Sequence, residues 1–590
     1  MTTTTVKPIE TEHLARWRRR FLATRFTMPV WARSRSERLL FPATFDGKWE
    51  YHVWDLSTGE RRQATDRPAG TEHAAIDPTG EWVWWFDDDR GDEVGRWMRQ
   101  PFGGGDAVPA APGLEPAFSA GLVLGAGFAI VGRSLEEGSE LYLVRGDAVE
   151  PWHRTESQGL VTDLSADDRH ALIEHYDGGD ARHPALRVVD VSGAVIAELS
   201  DGPGRGVWAG EWSPVPGDHR LIAYREREGL LRPAIWSPLT GETVDVEVDL
   251  PSDVEASWYP DGAGLLMRHE FRARNELWRY DLARGVAEPV EVERGTIPAA
   301  RIRPDGEMWY HWNNSVSPPE FRAGDRVLLR QDGDPGVRHE DLDVDGIHGF
   351  LTRPAGDPPY PAIFLVHGGP DTLDPDVYSP IVLAWVDHGF ATVQVNYRGS
   401  TGYGSEWRDA AAGNPGFTEL EDLATVRAWL VERGLIDPAR VVLSGRSWGG
   451  YLTLLGLGTQ PDLWSLGIAE SPIADYLLAY EDTTEELRDY DVALFGGTPE
   501  ERPELYRERS PITHAERVRV PVLIQTGRRD PRCPLRQVES YARRLEELGR
   551  EHTLNVRPEA HSLTVIEDIM EALATEIDFV SRRLGTPPAG

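Results

Sequence analysis

Cysteine occurs once in 590 residues, and lysine only at Lys7 and Lys48. A single Cys excludes a disulfide framework and any multi-cysteine zinc or iron–sulfur site. Surplus basic charge is missing too: 62 Lys and Arg stand against 97 Asp and Glu, a formal net charge of -35. That balance argues against a nucleic-acid partner, whose phosphates demand a basic surface. No apolar run approaches the roughly 20 residues of a membrane-spanning helix, so no membrane partner is expected. The opening residues, Met1 to Pro8, lack the charged-then-apolar pattern of a signal peptide. A cytoplasmic protein is therefore expected.

What is present is ordinary globular material: 40% hydrophobic and 27% charged residues, enough to build a core. The acid is spread along the chain with alternating signs, which describes a solvated surface that keeps the protein soluble. A second reading is attraction of cationic ligands.

The two halves differ in texture. Residues 10–24 carry a short helical pattern with Arg16, Arg19 and Arg20 on its polar face. This N-terminal segment, residues 1–34, has no place in a strand repeat and is expected to pack on the C-terminal domain. From about 35 to 325 the chain reads as short strands with turn signals. Asp77-Pro78-Thr79-Gly80, Ser165-Ala166-Asp167-Asp168, Pro216-Gly217-Asp218, Pro260-Asp261-Gly262 and Pro304-Asp305-Gly306 each open a strand. Second turns recur at Ser57-Thr58-Gly59, Ser192-Gly193 and Leu239-Thr240-Gly241. With a unit starting near Asp46 and a fainter one near 117, the pattern predicts seven units of four short strands, the signature of a seven-bladed β-propeller.

From about 345 to the end, strands alternate with helices. Pro361 to His367 is a continuous apolar run, as expected of a strand buried on both faces. Strand–helix alternation predicts a parallel sheet with helices on both sides. The fold class is thus a β-propeller plus an α/β-hydrolase domain.

The strongest chemical signal is Gly445-Arg446-Ser447-Trp448-Gly449-Gly450, after the strand Val441 to Leu443 and before a helix at Tyr451. In that setting G-x-S-x-G is a nucleophile elbow. The sharp turn strains the backbone, glycines relieve crowding, and Ser447 is presented at a helix N-terminus where developing negative charge is favoured. A serine hydroxyl needs a base. In α/β-hydrolases the partners follow as Asp or Glu, then His. Gly527-Arg528-Arg529-Asp530 and Ala560-His561 fall in loops after strands, where an open α/β sheet gathers its site. Asp530 would hold the His561 imidazole, and His561 would take the Ser447 proton and return it to the leaving group. His514 comes too early in the order, His552 begins a strand, and Asp475 and Asp491 lie in what reads as an insertion. His367-Gly368-Gly369-Pro370 follows a buried strand and supplies an oxyanion-hole loop, with the Gly369 and Trp448 N–H groups as donors.

In this order, with Asn396-Tyr397-Arg398-Gly399-Ser400-Thr401-Gly402-Tyr403-Gly404 and Gly-x-x-Asp-x-Arg-Cys-Pro at 527–534, the chain resembles the prolyl oligopeptidase family of serine peptidases. It is most similar to the acylaminoacyl-peptidase branch. The resemblance covers nearly the whole chain, although in the propeller it is architectural only. It implies hydrolysis of short peptides, with the propeller limiting access, and it puts Arg532 in the substrate site. Cys533 beside it reads as a small buried residue, not a nucleophile. Tyr476, Tyr480, Leu494 and Phe495 could line an apolar substrate pocket or belong to the core. Glu136-Glu137 and Asp87-Asp88-Asp89 could hold a free amine, but read better as a turn and a solvated loop.

The expected activity is a serine peptidase releasing acylated or free N-terminal residues from short peptides or aminoacyl amides and esters. An esterase or amidase for a peptide-like small molecule is the alternative, and a scaffold with a decayed hydrolase the third reading. Self-association into a homo-oligomer is left open. No cofactor and no metal are expected.

Overall fold

The computed structural model describes residues 15–88 and 91–585. Two compact units emerge from it. One comprises Thr24–Trp312 and Pro319–Gln331, the other the segment ending at Ala23, Asn313–Pro318 and the chain from Asp332 onward.

The first unit is a seven-bladed β-propeller: seven four-stranded antiparallel sheets, each built from consecutive strands. The innermost strands are Val30–Ala32, Ala74–Ile76, Phe118–Gly125, Gly159–Leu164, Val207–Trp212, Val254–Trp258 and Thr296–Ile302. The Pro/Asp/Gly turns fall inside blades, between the first and second strands, and the second set falls between the third and fourth. Each blade therefore starts one strand earlier than its loudest turn. The unit expected near Asp46 is displaced further: that turn falls between the second and third strands of a blade that begins at Val30.

Apolar clusters bridge neighbouring blades. Leu172, Leu186 and Val188 pack with Trp212, Leu221 and Trp236, for example. The ring closes the same way: Leu39, Phe41 and Trp54 of the first blade pack on Trp309, Phe321 and Leu328 of the last. Among the described residues no strand is exchanged at the closure; the apolar contacts are joined by Arg303, whose Nη2 donates to the Ser36 carbonyl at 3.0 Å.

The second unit is an eight-stranded sheet: β1 (Glu340–Val344), β2 (Ile347–Thr352), β3 (Tyr360–Val366), β4 (Ala391–Asn396), β5 (Ile436–Arg446), β6 (Leu466–Glu470), β7 (Val522–Gly527) and β8 (His552–Arg557). Its spatial order is β1-β2-β4-β3-β5-β6-β7-β8. β2 runs antiparallel to both neighbours, and from β4 onward all pairs are parallel. β3 is buried along its length except at Leu365, as its unbroken apolar sequence requires. Helices cover both faces through two separate cores, which is what a parallel sheet needs.

The helix Arg16–Leu22 packs on this unit. Trp17 and Phe21 join Ile363, Trp385, Phe390 and Val442 in one of the cores. Arg20 is not on a polar face, as its spacing suggested. Its side chain is fully buried, with Nη1 on Asp387 Oδ2 at 2.7 Å and Nη2 donating to the Pro335 carbonyl at 3.2 Å. A buried guanidinium is tolerable only when paired in this way. The N-terminal boundary also moves: residues 30–32, expected with the helix, are propeller strand, residues 313–318 group with the sheet unit, and the sheet starts at 340 rather than 345. Residues 1–14 of the expected N-terminal segment lie outside the described residues, as does Asp89 of the acidic run.

Candidate active site

β5 ends at Arg446 and the helix Trp448–Thr459 starts two residues later, with Ser447 as the connecting residue. Ser447 has φ 55° and ψ −118°, a strained conformation for a residue with a Cβ. Two backbone hydrogen bonds hold it there. Its N–H donates to the Glu470 carbonyl at 2.9 Å, and its own carbonyl accepts the Tyr451 N–H at 2.9 Å. The glycines have specific reasons: a Cβ on Gly445 would collide with the Gly449 backbone, and one on Gly449 with the Val366 carbonyl of β3. The elbow thus fits only because the sheet and helix backbones can touch. Ser447 remains partly exposed.

Asp530 follows β7 and His561 follows β8. His561 Nδ1 lies 2.8 Å from Asp530 Oδ2, and the Asp530 side chain is fully buried. The other carboxylate oxygen, Oδ1, accepts the N–H groups of Arg532 at 3.0 Å and Cys533 at 2.8 Å. A carboxylate fixed by two backbone donors has one orientation left for the imidazole, and that fixes the ring tautomer as Nδ1–H. The Cys533 Sγ, an Asp530 oxygen and a His561 ring nitrogen lie within 4.8 Å of one another. The Cys533 thiol is in hydrogen-bond reach of Ser447, which brings the serine to the same group. Burial, reinforced by Asp530, pushes the Cys533 thiol well above its usual range, so it stays a neutral thiol.

The loop His367–Pro370 follows β3. An atom at the Gly368 Cβ position would lie 3.5 Å from Ser447 Cβ and 3.9 Å from the Trp448 nitrogen. The loop therefore sits against the elbow. Gly369 has φ 115°, open to glycine only. Trp448 is the first helical residue, ahead of the internal hydrogen-bond ladder, so its N–H points out of the helix end.

The segment Asn396 to Gly404 supports that loop. The His367 ring stacks on Tyr397, with centroids 4.2 Å apart, and its Nε2 meets Ser400 Oγ at 2.9 Å. The Tyr397 hydroxyl donates to the His367 carbonyl at 2.9 Å. Burial lowers the His367 pKa to about 4, which keeps the ring neutral in its stack. Arg398 is tied to Asp422 at 2.7 Å. These supports were not assigned by sequence reasoning, although the segment itself stood out. Two more were missed. The Arg446 guanidinium donates to the His561 carbonyl, and Arg557 pairs with Glu470 at 2.9 Å.

The pocket candidates divide. Tyr476 and Phe495 are fully buried among Tyr451 and Tyr506, with Phe495 stacked on Tyr506 at 4.2 Å. Leu494 is buried in the same core. These three present no surface to a ligand, because the short helices Tyr476–Asp482, Glu485–Phe495 and Pro503–Arg509 close their own aromatic core around them. Tyr480 is only partly buried, and Arg532 is exposed. In the propeller, Glu136-Glu137 forms the exposed two-residue turn between strands Phe128–Leu135 and Gly138–Arg145. Asp87 pairs with Arg67, and Asp88 accepts the Asp92 and Glu93 N–H groups.

With this geometry in view, comparison with known proteins is direct. Residues 377–587 match the family model described as the prolyl oligopeptidase family. That match falls within the α/β unit. Acylamino-acid-releasing enzyme 1 of Oryza sativa subsp. japonica is 33% identical over 208 residues, covering 34% of this chain and 27% of that protein. Acylamino-acid-releasing enzyme 2 of the same species is 26% identical over 372 residues, covering 55% and 47%. The chain thus spans about half or less of the length of these relatives. For the whole fold, a puromycin-hydrolyzing peptidase of Mycobacterium tuberculosis superposes over 100% of this chain and 98% of its own, with TM-score 0.82 at 20% identity. The prolyl oligopeptidase match starts at 377, just after the His-Gly-Gly-Pro loop, and takes in Ser447, Asp530 and His561. Among the described residues no helix is long and apolar enough to cross a membrane.

Proposed function

We propose that the chain is a serine peptidase that cleaves short peptides through an acyl-enzyme on Ser447. The carrying observation is the Asp530–His561 pair at 2.8 Å beside a serine held in left-handed backbone at a helix N-terminus. In this reading neutral His561 takes the Ser447 proton as Oγ attacks the substrate carbonyl. Asp530 stabilises the imidazolium that forms. The carbonyl oxygen, now negative, is held by the Gly369 and Trp448 N–H groups, each worth about 3 kcal/mol in the transition state. His561 then protonates the leaving amine, and a water repeats the steps to free the acyl group.

Acylated residues enter this reading from the relatives' name, acylamino-acid-releasing enzyme; free N-terminal residues of short peptides and aminoacyl amides or esters are our extension of it. Arg532, exposed two residues beyond Asp530, and the partly buried Tyr480 are the side chains we place at the substrate. A cytoplasmic setting belongs to the same reading, supported by the near absence of cysteine.

A fluorophosphonate probe tests the nucleophile: it should label the native chain and spare Ser447→Ala. One side chain offered with a free, an acetylated and a one-residue-extended N-terminus tests the substrate class. Comparable kcat/KM on simple esters, with none on any of the three, would sink the peptidase reading and leave an esterase.

A further inference from the structure

Far from the serine in sequence, two turns of neighbouring propeller blades meet. Asp167 lies in the turn between strands Gly159–Leu164 and His170–Asp180, and His170 opens the second of them. His219 belongs to the corresponding turn between Val207–Trp212 and Leu221–Arg227 in the next blade. One donor atom from each of Asp167, His170 and His219 lies within 4.8 Å of the other two. Asp167 Oδ2 is 3.6 Å from His219 Nε2. The two imidazoles meet edge to face, with centroids 5.0 Å apart.

We propose that Asp167, His170 and His219 form a binding site for a divalent transition-metal cation of the zinc class, clamping the fourth blade to the fifth.

The donor set fits that chemistry. Two imidazoles and one carboxylate suit zinc and its neighbours, and a tetrahedral ion with bonds of about 2.0–2.1 Å separates its donors by roughly 3.4 Å. The Asp167–His219 spacing already matches, and side-chain adjustment of about an ångström brings in the third. A second observation points the same way. His170 is only 9% exposed, and its Nδ1 is buried without a hydrogen-bond partner among the described residues. Buried polar atoms are rarely left so, and a bound ion or its water would satisfy this one.

The carboxylate is oriented in advance. The Ser165 hydroxyl donates to Asp167 Oδ1 at 2.8 Å, leaving Oδ2 towards His219. Ser165 Oγ also accepts the His170 N–H at 3.0 Å, fixing where that residue starts. Across the seam, Ser213 Oγ donates to Asp218 Oδ2 at 2.7 Å and stiffens the turn that carries His219. Such outer partners commonly govern metal affinity. Arg169 Nε reaches the same Asp167 oxygen at 3.7 Å, but its side chain is mostly exposed and can swing away. Asp167 and His219 keep some exposure, so water can occupy the remaining position. No sequence motif announces the site, because His219 lies 49 positions beyond His170 and meets it only through the blade repeat.

The full chain, stripped with chelator, tests this when titrated with cobalt(II) and then zinc(II). The variant Cys533→Ser serves as background, since Asp530, Cys533 and His561 are a second compact donor group. One equivalent of cobalt should give visible d–d bands without thiolate charge transfer, and zinc should displace it. Zinc should also raise the thermal midpoint. Loss of an outer partner costs about 10–100-fold in metal affinity, so His219→Ala and Asp167→Asn, both partly exposed and expected to fold, should each weaken binding at least tenfold. An absence of cobalt bands and of a zinc-induced midpoint shift overturns the proposal. So does unchanged affinity in the His219→Ala Asp167→Asn double variant with native circular dichroism.

Discussion

The guanidinium of Arg446 donates to the backbone carbonyl of His561. Arg446 immediately precedes the serine, so one side chain ties the elbow to the loop that carries the imidazole. The proposed triad is split over three loops and needs such ties, because misplacement of an ångström costs about 10²-fold in rate.

Arg446 is accordingly a positioning residue. Arg446→Ala should lower kcat about 10–100-fold with little change in KM, at the scale of such misplacement. Arg446→Lys, which can still reach a carbonyl but lacks the planar fork, should recover part of the loss. Steady-state kinetics of the two variants check this. A change confined to KM would assign Arg446 to substrate binding instead.

Asp530→Asn keeps the shape and removes the charge. It also lets the side chain donate to His561, favouring the wrong tautomer, an effect of about 10⁴ on kcat in serine proteases. The same loss is expected here, with folding intact because Asn Oδ1 can still accept the Arg532 and Cys533 N–H groups. A loss below about tenfold would remove Asp530 from the chemistry.

Cys533 is the only thiol in the chain and sits beside Ser447. Being buried and kept neutral, it should alkylate slowly in the native protein, since the thiolate is the reactive form. Cys533→Ala should leave fluorophosphonate labelling intact. Lost labelling in a folded Cys533→Ala variant would contradict the assignment of Ser447 as nucleophile.

How much of this was legible in the sequence depends on range. The elbow could be read because its residues are contiguous and each glycine answers a local collision, at Gly445 with Gly449 and at Gly449 with β3. The propeller could be counted because its turns repeat, although Asp77-Pro78-Thr79-Gly80 marks the middle of a blade rather than its edge. Arg20 was misplaced because helical spacing cannot see Asp387, its partner 367 positions away. Tyr476 and Phe495 were open to two readings because aromatic residues serve pockets and cores alike. Only the packing of Tyr506 against Phe495 decides between them.

Stability should depend on pH through Asp491, whose carboxyl burial pushes up to about 8 from 3.8. Between those values the unfolded chain has released the proton and the folded chain retains it. Stability from this group is full below pH 3.8 and falls as pH rises through about 8. Asp491→Asn should flatten that decline and raise the thermal midpoint at pH 8 more than at pH 5. Parallel melting curves for the two proteins across this range would show that Asp491 does not hold its proton.

The central claim is the acyl-enzyme on Ser447. Rapid mixing with an activated aminoacyl ester, followed by acid quench and intact-mass measurement, tests it most directly. The account predicts a transient mass gain of one acyl group, mapped to the peptide containing Ser447, absent in Ser447→Ala and prolonged in His561→Ala if any forms. Turnover in the wild-type chain with no acylated species, or an acyl group mapped to Cys533, would contradict it.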